Sequence, residues 1–95
     1  MGHVTPVQIK NLRKSFDLER ASFAALLGCN ERTLTRWEDG SNSPQGLHRT
    51  LLSWLIRVER ETPAIDMKLW GKKCWDLMFD KGHLIALREL LRGPQ

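Results

Sequence analysis

Five polar side chains within one short stretch of sequence have the chemistry to recognise the edges of base pairs. They lie in CNERTLTRWEDG, residues 29–40, and are Glu31, Arg32, Thr33, Thr35 and Arg36. An arginine can donate two hydrogen bonds to O6 and N7 of guanine, a threonine methyl can pack on a thymine methyl, and a glutamate can accept from a cytosine amino group. A stretch this polar is suited to a partner outside the protein rather than to a core.

Helix signals around this stretch indicate how the five side chains are positioned. Asn30 is a preferred N-cap, Leu34 and Trp37 form a narrow apolar stripe, and the stretch closes at Gly40, which predicts a helix over about residues 30–38. A preceding apolar helix, from residue 19 or 20 to residue 27, ends at Gly28 as a left-handed C-cap would. Two short helices joined by a tight turn are a helix-turn-helix, whose second helix can enter the major groove of DNA.

The remaining pattern predicts further helices and no strand. Helices are expected over residues 6–16, from 44 to about 60, over about 64–79 and over 83–91. The pairs Thr5-Pro6, Ser43-Pro44 and Thr62-Pro63 are their start signals. Leu47 is assigned to the apolar face of the fourth helix, Gly71 is a weak point in the fifth, and His48 is expected to face outward. We therefore predict an all-α, compact bundle of five to six helices.

The run LERASFAALLGCNERTLTRWEDGSNSP resembles the helix-turn-helix of the lambda Cro/cI repressor (XRE-type) family. The matching elements are Phe23-Ala24, Leu26-Leu27-Gly28, Trp37-Glu38, Gly40 and Pro44, and the resemblance covers roughly residues 6–55. It implies a lambda repressor-like DNA-binding domain, a bundle of about five helices that binds operator DNA, usually as a two-fold dimer. It also implies that the helix over residues 30–38 reads the major groove of a palindromic operator.

The resemblance assigns roles to individual residues. Base contacts are implied for the five side chains introduced above, and contacts with the DNA backbone for Arg20, Asn30, Ser41, Asn42 and Ser43. Glu38 matches a buried acid that pairs with an arginine of the first helix, here Arg13. Three roles stay open for Glu31: a base contact, orientation of a neighbouring arginine, or a solvated acid favoured by the start of its helix.

The C-terminal third of the chain carries more apolar side chains than one small core needs. We divide the chain into a helix-turn-helix bundle over residues 5–61 and C-terminal helices over residues 62–95, within one structural domain. The C-terminal helices either complete the core, form the interface of a homodimer, or do both. The residues expected at a dimer interface are Trp70, Trp75, Met78 and Phe79.

Composition limits the other classes of function. The net charge is +4, and eight basic residues face five acidic ones between positions 5 and 57, which suits a polyanionic partner. The chain shows no secretion signal and no apolar run of about 18 residues, so we expect a cytoplasmic protein without a membrane segment. Its two cysteines, Cys29 and Cys74, have no metal-binding spacing, and no catalytic group of residues is evident. The sequence thus predicts no cofactor, no metal and no enzymatic activity.

Two alternatives to a homodimeric repressor stay open. The first is an antitoxin, in which the same fold binds operator DNA while the C-terminal helices bind a toxin protein. The second is a protein-interaction module that keeps the fold without binding DNA. Arg20, Arg32 and Arg36 argue against the second alternative, whereas Glu19 and Glu31 favour it.

Overall fold

The computed structural model describes residues 4–94, which form six α-helices and no strand. The helices are α1 (Pro6–Ser15), α2 (Arg20–Leu27), α3 (Glu31–Asp39), α4 (Gly46–Glu61), α5 (Ala64–Lys81) and α6 (His83–Arg92). The prediction of an all-α helical bundle is confirmed.

Local signals set the limits of the first three helices. Thr5 and Gln8 form a reciprocal capping box at the start of α1. The N–H of Thr33 donates to the Asn30 side chain over 2.8 Å at the start of α3. Glycines with positive φ, Gly28 at 83° and Gly40 at 86°, end α2 and α3.

The predicted start of α4 is wrong by two residues, whereas α5 starts at Ala64 as predicted. Ser43 and Pro44 do not begin α4. Pro44 is buried, and α4 starts at Gly46, whose φ is +57°. Thr62 still belongs to the end of α4, because its N–H donates to the Glu59 carbonyl, so Pro63 precedes α5 instead of opening it. Leu47 is also misassigned: its side chain is 88% exposed, and the first turn of α4 packs inward through His48.

All six helices contribute to a single cluster of buried apolar side chains. The fully buried members include Ile9 of α1, Phe23 of α2, Leu34 of α3, Leu52 and Leu55 of α4, Met67 of α5 and Leu90 of α6. Burying an aliphatic or phenylalanine side chain of this kind stabilises the fold by about 1.5–3 kcal/mol. The predicted boundary between the helix-turn-helix bundle and the C-terminal helices lies at the end of α4, residue 61, and stays a prediction.

Gly71 lies where α5 packs against Phe16, the C-cap residue of α1. A Cβ atom at this position would lie 2.8 Å from the carbonyl oxygen of Phe16 and 2.8 Å from its Cδ1 atom. The helix runs through Gly71 without a break. The residue expected to be a weak point in α5 therefore serves the packing of α5 on α1.

Candidate nucleic-acid interface

The turn between α2 and α3 consists of three residues, Gly28, Cys29 and Asn30. The N–H of Cys29 donates to the Ala24 carbonyl over 2.9 Å, which closes the last turn of α2 on itself. Asn30 has extended backbone angles, and its side chain caps α3 at once. Burial raises the pKa of the half-buried Cys29 thiol, which suits a structural position rather than a reactive one.

The inner side of α3 is held by two apolar residues and one acid. Leu34 and Trp37 are buried in the core. The side chain of Glu38 is only 2% exposed, and it accepts hydrogen bonds from the Arg13 guanidinium: Nε to Oε2 at 2.7 Å and Nη2 to Oε1 at 3.0 Å. This bidentate pair ties α3 to α1.

Arg20 joins the same carboxylate from the start of α2. Its Nε donates to Oε1 of Glu38 over 3.2 Å, while its side chain stays 42% exposed. Burial raises the pKa of Glu38, but the hydrogen bonds and positive charges of Arg13 and Arg20 outweigh burial, so the net pKa is lowered. Sequence reasoning assigned Arg20 to the DNA backbone alone and missed its contact with Glu38, which depends on how the start of α2 packs beside α3.

The outer side of α3 carries all five residues expected to read bases. Glu31, Arg32 and Arg36 are exposed, and Thr33 and Thr35 are half-buried. The Thr35 hydroxyl donates to the Glu31 carbonyl over 2.9 Å, so its hydrogen is engaged within the helix. Among residues 4–94, no carboxylate lies within 4.0 Å of the Arg32 or Arg36 guanidinium. Both guanidinium groups can therefore donate to an external acceptor.

Glu31 forms no ion pair within the described part of the chain. In this structure it therefore does not orient Arg32 or Arg36 directly, and the helix cap is supplied by Asn30 instead. Its position in the first turn of α3 places its negative charge near the positive end of the helix dipole.

The loop after α3 exposes Ser41, Asn42 and Ser43. The N–H of Ser41 donates to the Asp39 carboxylate over 2.8 Å, and the N–H of Asn42 donates to the Arg36 carbonyl. Hydrogen bonds from Ser41 lower the pKa of Asp39. These bonds fix the loop beside the last turn of α3, on the same part of the molecule as Arg36.

The four residues expected at a dimer interface differ in exposure. Trp70 is 4% exposed and packs in the core, with its ring centroid 5.0 Å from that of Phe16, so its assignment to an interface is wrong. Trp75 and Met78 are half-buried, and Phe79 is 77% exposed and lies edge-on to Trp75 at 4.8 Å. Ile65 and Leu69, also on α5, add further exposed apolar surface.

Comparison with known proteins gives one informative similarity. Over 60 residues, 63% of this chain, the sequence is 38% identical to the antitoxin HigA-2 of Vibrio cholerae serotype O1. The matched region spans 57% of the length of that protein. No family model matches the chain, and no solved structure matches it significantly.

Two histidines contact the end of α2 from distant parts of the sequence. Nε2 of His48 lies 3.2 Å from the Leu27 carbonyl oxygen, and Nε2 of His83 lies 3.1 Å from the Leu26 carbonyl oxygen. The expected outward position of His48 does not match its contact with the Leu27 carbonyl. No periodicity could have indicated these contacts, because they depend on how α4 and α6 pack against α2.

Two further classes of feature are missing from residues 4–94. None of the helices there is long and apolar enough to span a membrane. The same residues contain no group of three or more His, Cys, Asp and Glu side chains placed to hold a metal ion.

Proposed function

We propose that this protein is a sequence-specific regulator of transcription that binds double-stranded DNA. The observation that carries the proposal is the division of α3 into two sides. Leu34, Trp37 and Glu38 fix its inner side, while Arg32 and Arg36 project outward without a carboxylate partner within the described residues. Two unneutralised guanidinium groups on one exposed helix face suit the acceptor atoms of the major groove.

Base recognition is proposed for the outer face of α3. Arg32 and Arg36 would donate to guanine. Thr33 and Thr35 would contribute methyl contacts, and the engaged hydroxyl of Thr35 leaves its methyl as the group suited to thymine. Glu31 would accept from cytosine, since no arginine within residues 4–94 pairs with its carboxylate.

Backbone contacts are proposed for the residues that flank α3. Arg20 uses Nε on Glu38, which leaves the terminal nitrogens of its exposed guanidinium for a phosphate. Asn30 uses its side-chain oxygen on the cap, and its amide nitrogen has no hydrogen-bond partner among residues 4–94. Ser41, Asn42 and Ser43 would add neutral donors from the exposed loop. Such contacts supply affinity and register, whereas base contacts supply sequence choice.

A homodimer is proposed as the active form, acting as a cytoplasmic repressor of the XRE type. Residues 5–61 would bind DNA, and residues 62–95 would complete the core and join the two copies. Phe79, with Trp75 and Met78 beside it on α5, supplies exposed apolar surface for this purpose. Two recognition helices related by a two-fold axis would read half-sites about 34 Å apart in a palindromic operator.

An antitoxin is the second candidate, and the similarity to the antitoxin HigA-2 favours it. In that case the chain would bind both its operator and a toxin protein, with the C-terminal helices as the toxin-binding surface. Both candidates require DNA binding and no enzymatic activity. Purification of the chain from its native source separates them, since an antitoxin would bring a stoichiometric toxin whereas a simple repressor would not. An interaction module without DNA binding is the remaining alternative.

Selection of bound sequences from a random pool of DNA duplexes tests the proposal. We expect enrichment of one palindromic motif, with affinity that falls as salt concentration rises because counterions are released from the phosphates. A pool that shows no enriched motif at any salt concentration would contradict sequence-specific binding.

A further inference from the structure

All four carbonyl groups at the C-terminal end of α2 accept a hydrogen bond. Two of the donors are side chains from other helices. The last four carbonyls of an α-helix lack partners within the helix. Here the Ala24 and Ala25 carbonyls accept from the N–H groups of Cys29, at 2.9 Å, and Gly28, at 3.1 Å. This is the hydrogen-bond pattern of a Schellman turn. It leaves the carbonyls of Leu26 and Leu27 unpaired by the backbone.

Side chains from two other helices complete the set. Nε2 of His83, the first residue of α6, lies 3.1 Å from the Leu26 carbonyl oxygen. Nε2 of His48, in the first turn of α4, lies 3.2 Å from the Leu27 carbonyl oxygen. Because a carbonyl oxygen only accepts, Nε2 must carry the hydrogen in both rings. The four terminal carbonyls are thus all paired, and two of the donors are 21 and 57 residues away.

Both histidines also touch the structures that orient α3. The His48 ring centroid lies 5.3 Å from that of Trp37, on the inner side of α3. The Cε1 atom of His83 lies 3.2 Å from the place that a Cβ atom at Gly28 would occupy, so the ring covers the turn. Since only three residues separate α2 from α3, a change in this turn changes the direction of α3.

We propose that His48 and His83 are positioning residues that set the orientation of α3 for DNA reading. The inference rests on the proposed function. Loss of either donor leaves a helix-end carbonyl without its partner, which is costly away from water, so the turn shifts until water can reach the carbonyl. It follows that α6, assigned from sequence to core completion and dimerisation, is also part of the DNA-reading unit, because it supplies His83.

Glutamine and asparagine substitutions test the hydrogen bond apart from the loss of the imidazole ring, because both remove the ring and only glutamine keeps a donor in place. The amide nitrogen of glutamine can take the place of Nε2, whereas asparagine, one methylene shorter, cannot reach it. His48→Gln, His83→Gln, His48→Asn and His83→Asn are compared in the full chain, with Arg88→Gln on the exposed side of α6 as control. Affinity is measured for the selected duplex and for a random duplex at one salt concentration, with the folded fraction checked by circular dichroism.

We expect each asparagine variant to lose affinity for the selected duplex by about tenfold, the equivalent of one lost hydrogen bond to a helix-end carbonyl, while its affinity for random duplex is unchanged. Each glutamine variant should stay close to the unsubstituted chain. Equal affinities of the asparagine and glutamine variants would overturn the proposal. So would a loss that is equal for both duplexes and follows the folded fraction, because it would indicate a role in stability alone.

A readout without DNA distinguishes failure of this inference from failure of the proposed function. If the unsubstituted chain selects no duplex, the proposed function fails, and the positions of α2 and α3 are then compared by nuclear magnetic resonance. We expect the amide signals of residues 28–33 and the indole signal of Trp37 to move in the asparagine variants and to stay in place in the glutamine variants. Unchanged signals in the asparagine variants would overturn the positioning role.

Discussion

Arg13 and Glu38 meet in a bidentate ion pair across 25 residues of sequence, with Nε–Oε2 at 2.7 Å and Nη2–Oε1 at 3.0 Å. The Arg13 guanidinium also lies 3.4 Å from the Leu18 carbonyl, so it connects α1, the loop before α2, and α3. The pair fixes the inner side of α3 and so decides which residues remain on its outer side.

Removal of either partner of this pair should destabilise the fold. Arg13→Ala leaves a Glu38 carboxylate that is 2% exposed with Arg20 as its remaining partner, and breaking a buried pair from one side costs about 3 kcal/mol. A double-mutant cycle of Arg13→Ala and Glu38→Ala in urea unfolding measures the coupling, with the exposed Lys10→Ala as control. A coupling energy near zero would show that the pair does not hold α3.

The stability of the fold should fall in mild acid because of Glu38. Its folded-state pKa lies below the ordinary value of 4.5, so the ionised form contributes stability that is complete above that value and is lost as pH falls through the lowered pKa. Urea unfolding between about pH 6 and about pH 3 should show this loss, and Glu38→Gln should make it shallower. Glu61→Gln, which removes an exposed carboxylate at the end of α4, is the control. The same pH slope in Glu38→Gln and the unsubstituted chain would contradict this account.

Gly71→Ala should destabilise the protein although alanine favours helices. The helix preference of alanine is worth about 1 kcal/mol. The added Cβ would lie 2.8 Å from the Phe16 carbonyl oxygen, a backbone atom that cannot rotate away, and overpacking of this kind costs about 1–3 kcal/mol. Thermal unfolding of Gly71→Ala and of the exposed Lys72→Ala measures the difference. A higher melting temperature for Gly71→Ala would mean that α1 and α5 can separate without cost.

Phe79→Glu should weaken a homodimer without unfolding the chain. The Phe79 side chain is 77% exposed, so its replacement leaves the core intact. Trp70, by contrast, is buried in the core. If α5 joins the two copies, a buried glutamate there disfavours association. Sedimentation equilibrium of the variant and of Phe79→Leu measures the shift from dimer to monomer. An unsubstituted chain that stays monomeric at all concentrations would exclude the dimer.

The sequence predicts most of the framework because its signals are local. Caps and glycines lie next to the helices they limit, so α1, α2 and α3 are predicted within one or two residues. The Ser43-Pro44 pair misleads for a physical reason, because burial of the Pro44 ring overrides its local preference to start a helix. Tertiary packing decides where α4 starts, and a local sequence pattern carries no information about that packing.

In the candidate site, too, local features can be predicted from the sequence, whereas contacts between helices cannot. The two sides of α3 can be read from the spacing of Leu34 and Trp37, and the outer residues lie where that spacing places them. The contacts of Arg20 with Glu38, and of His48 and His83 with the end of α2, join residues between 18 and 57 positions apart. Such contacts are set by helix packing, and no motif in one sequence indicates them.

The central claim is that the outer face of α3 reads bases, and base preference tests it most directly. Duplex selection is repeated with Arg36→Ala and Glu31→Ala, with Arg57→Ala on the exposed side of α4 as control. We expect Arg36→Ala to lose about 1–3 kcal/mol of binding free energy and to relax the preference at a single base position. Glu31→Ala should change a different single position, and the control should keep the original motif. The same motif in all three variants, or no motif for the unsubstituted chain, would contradict the claim.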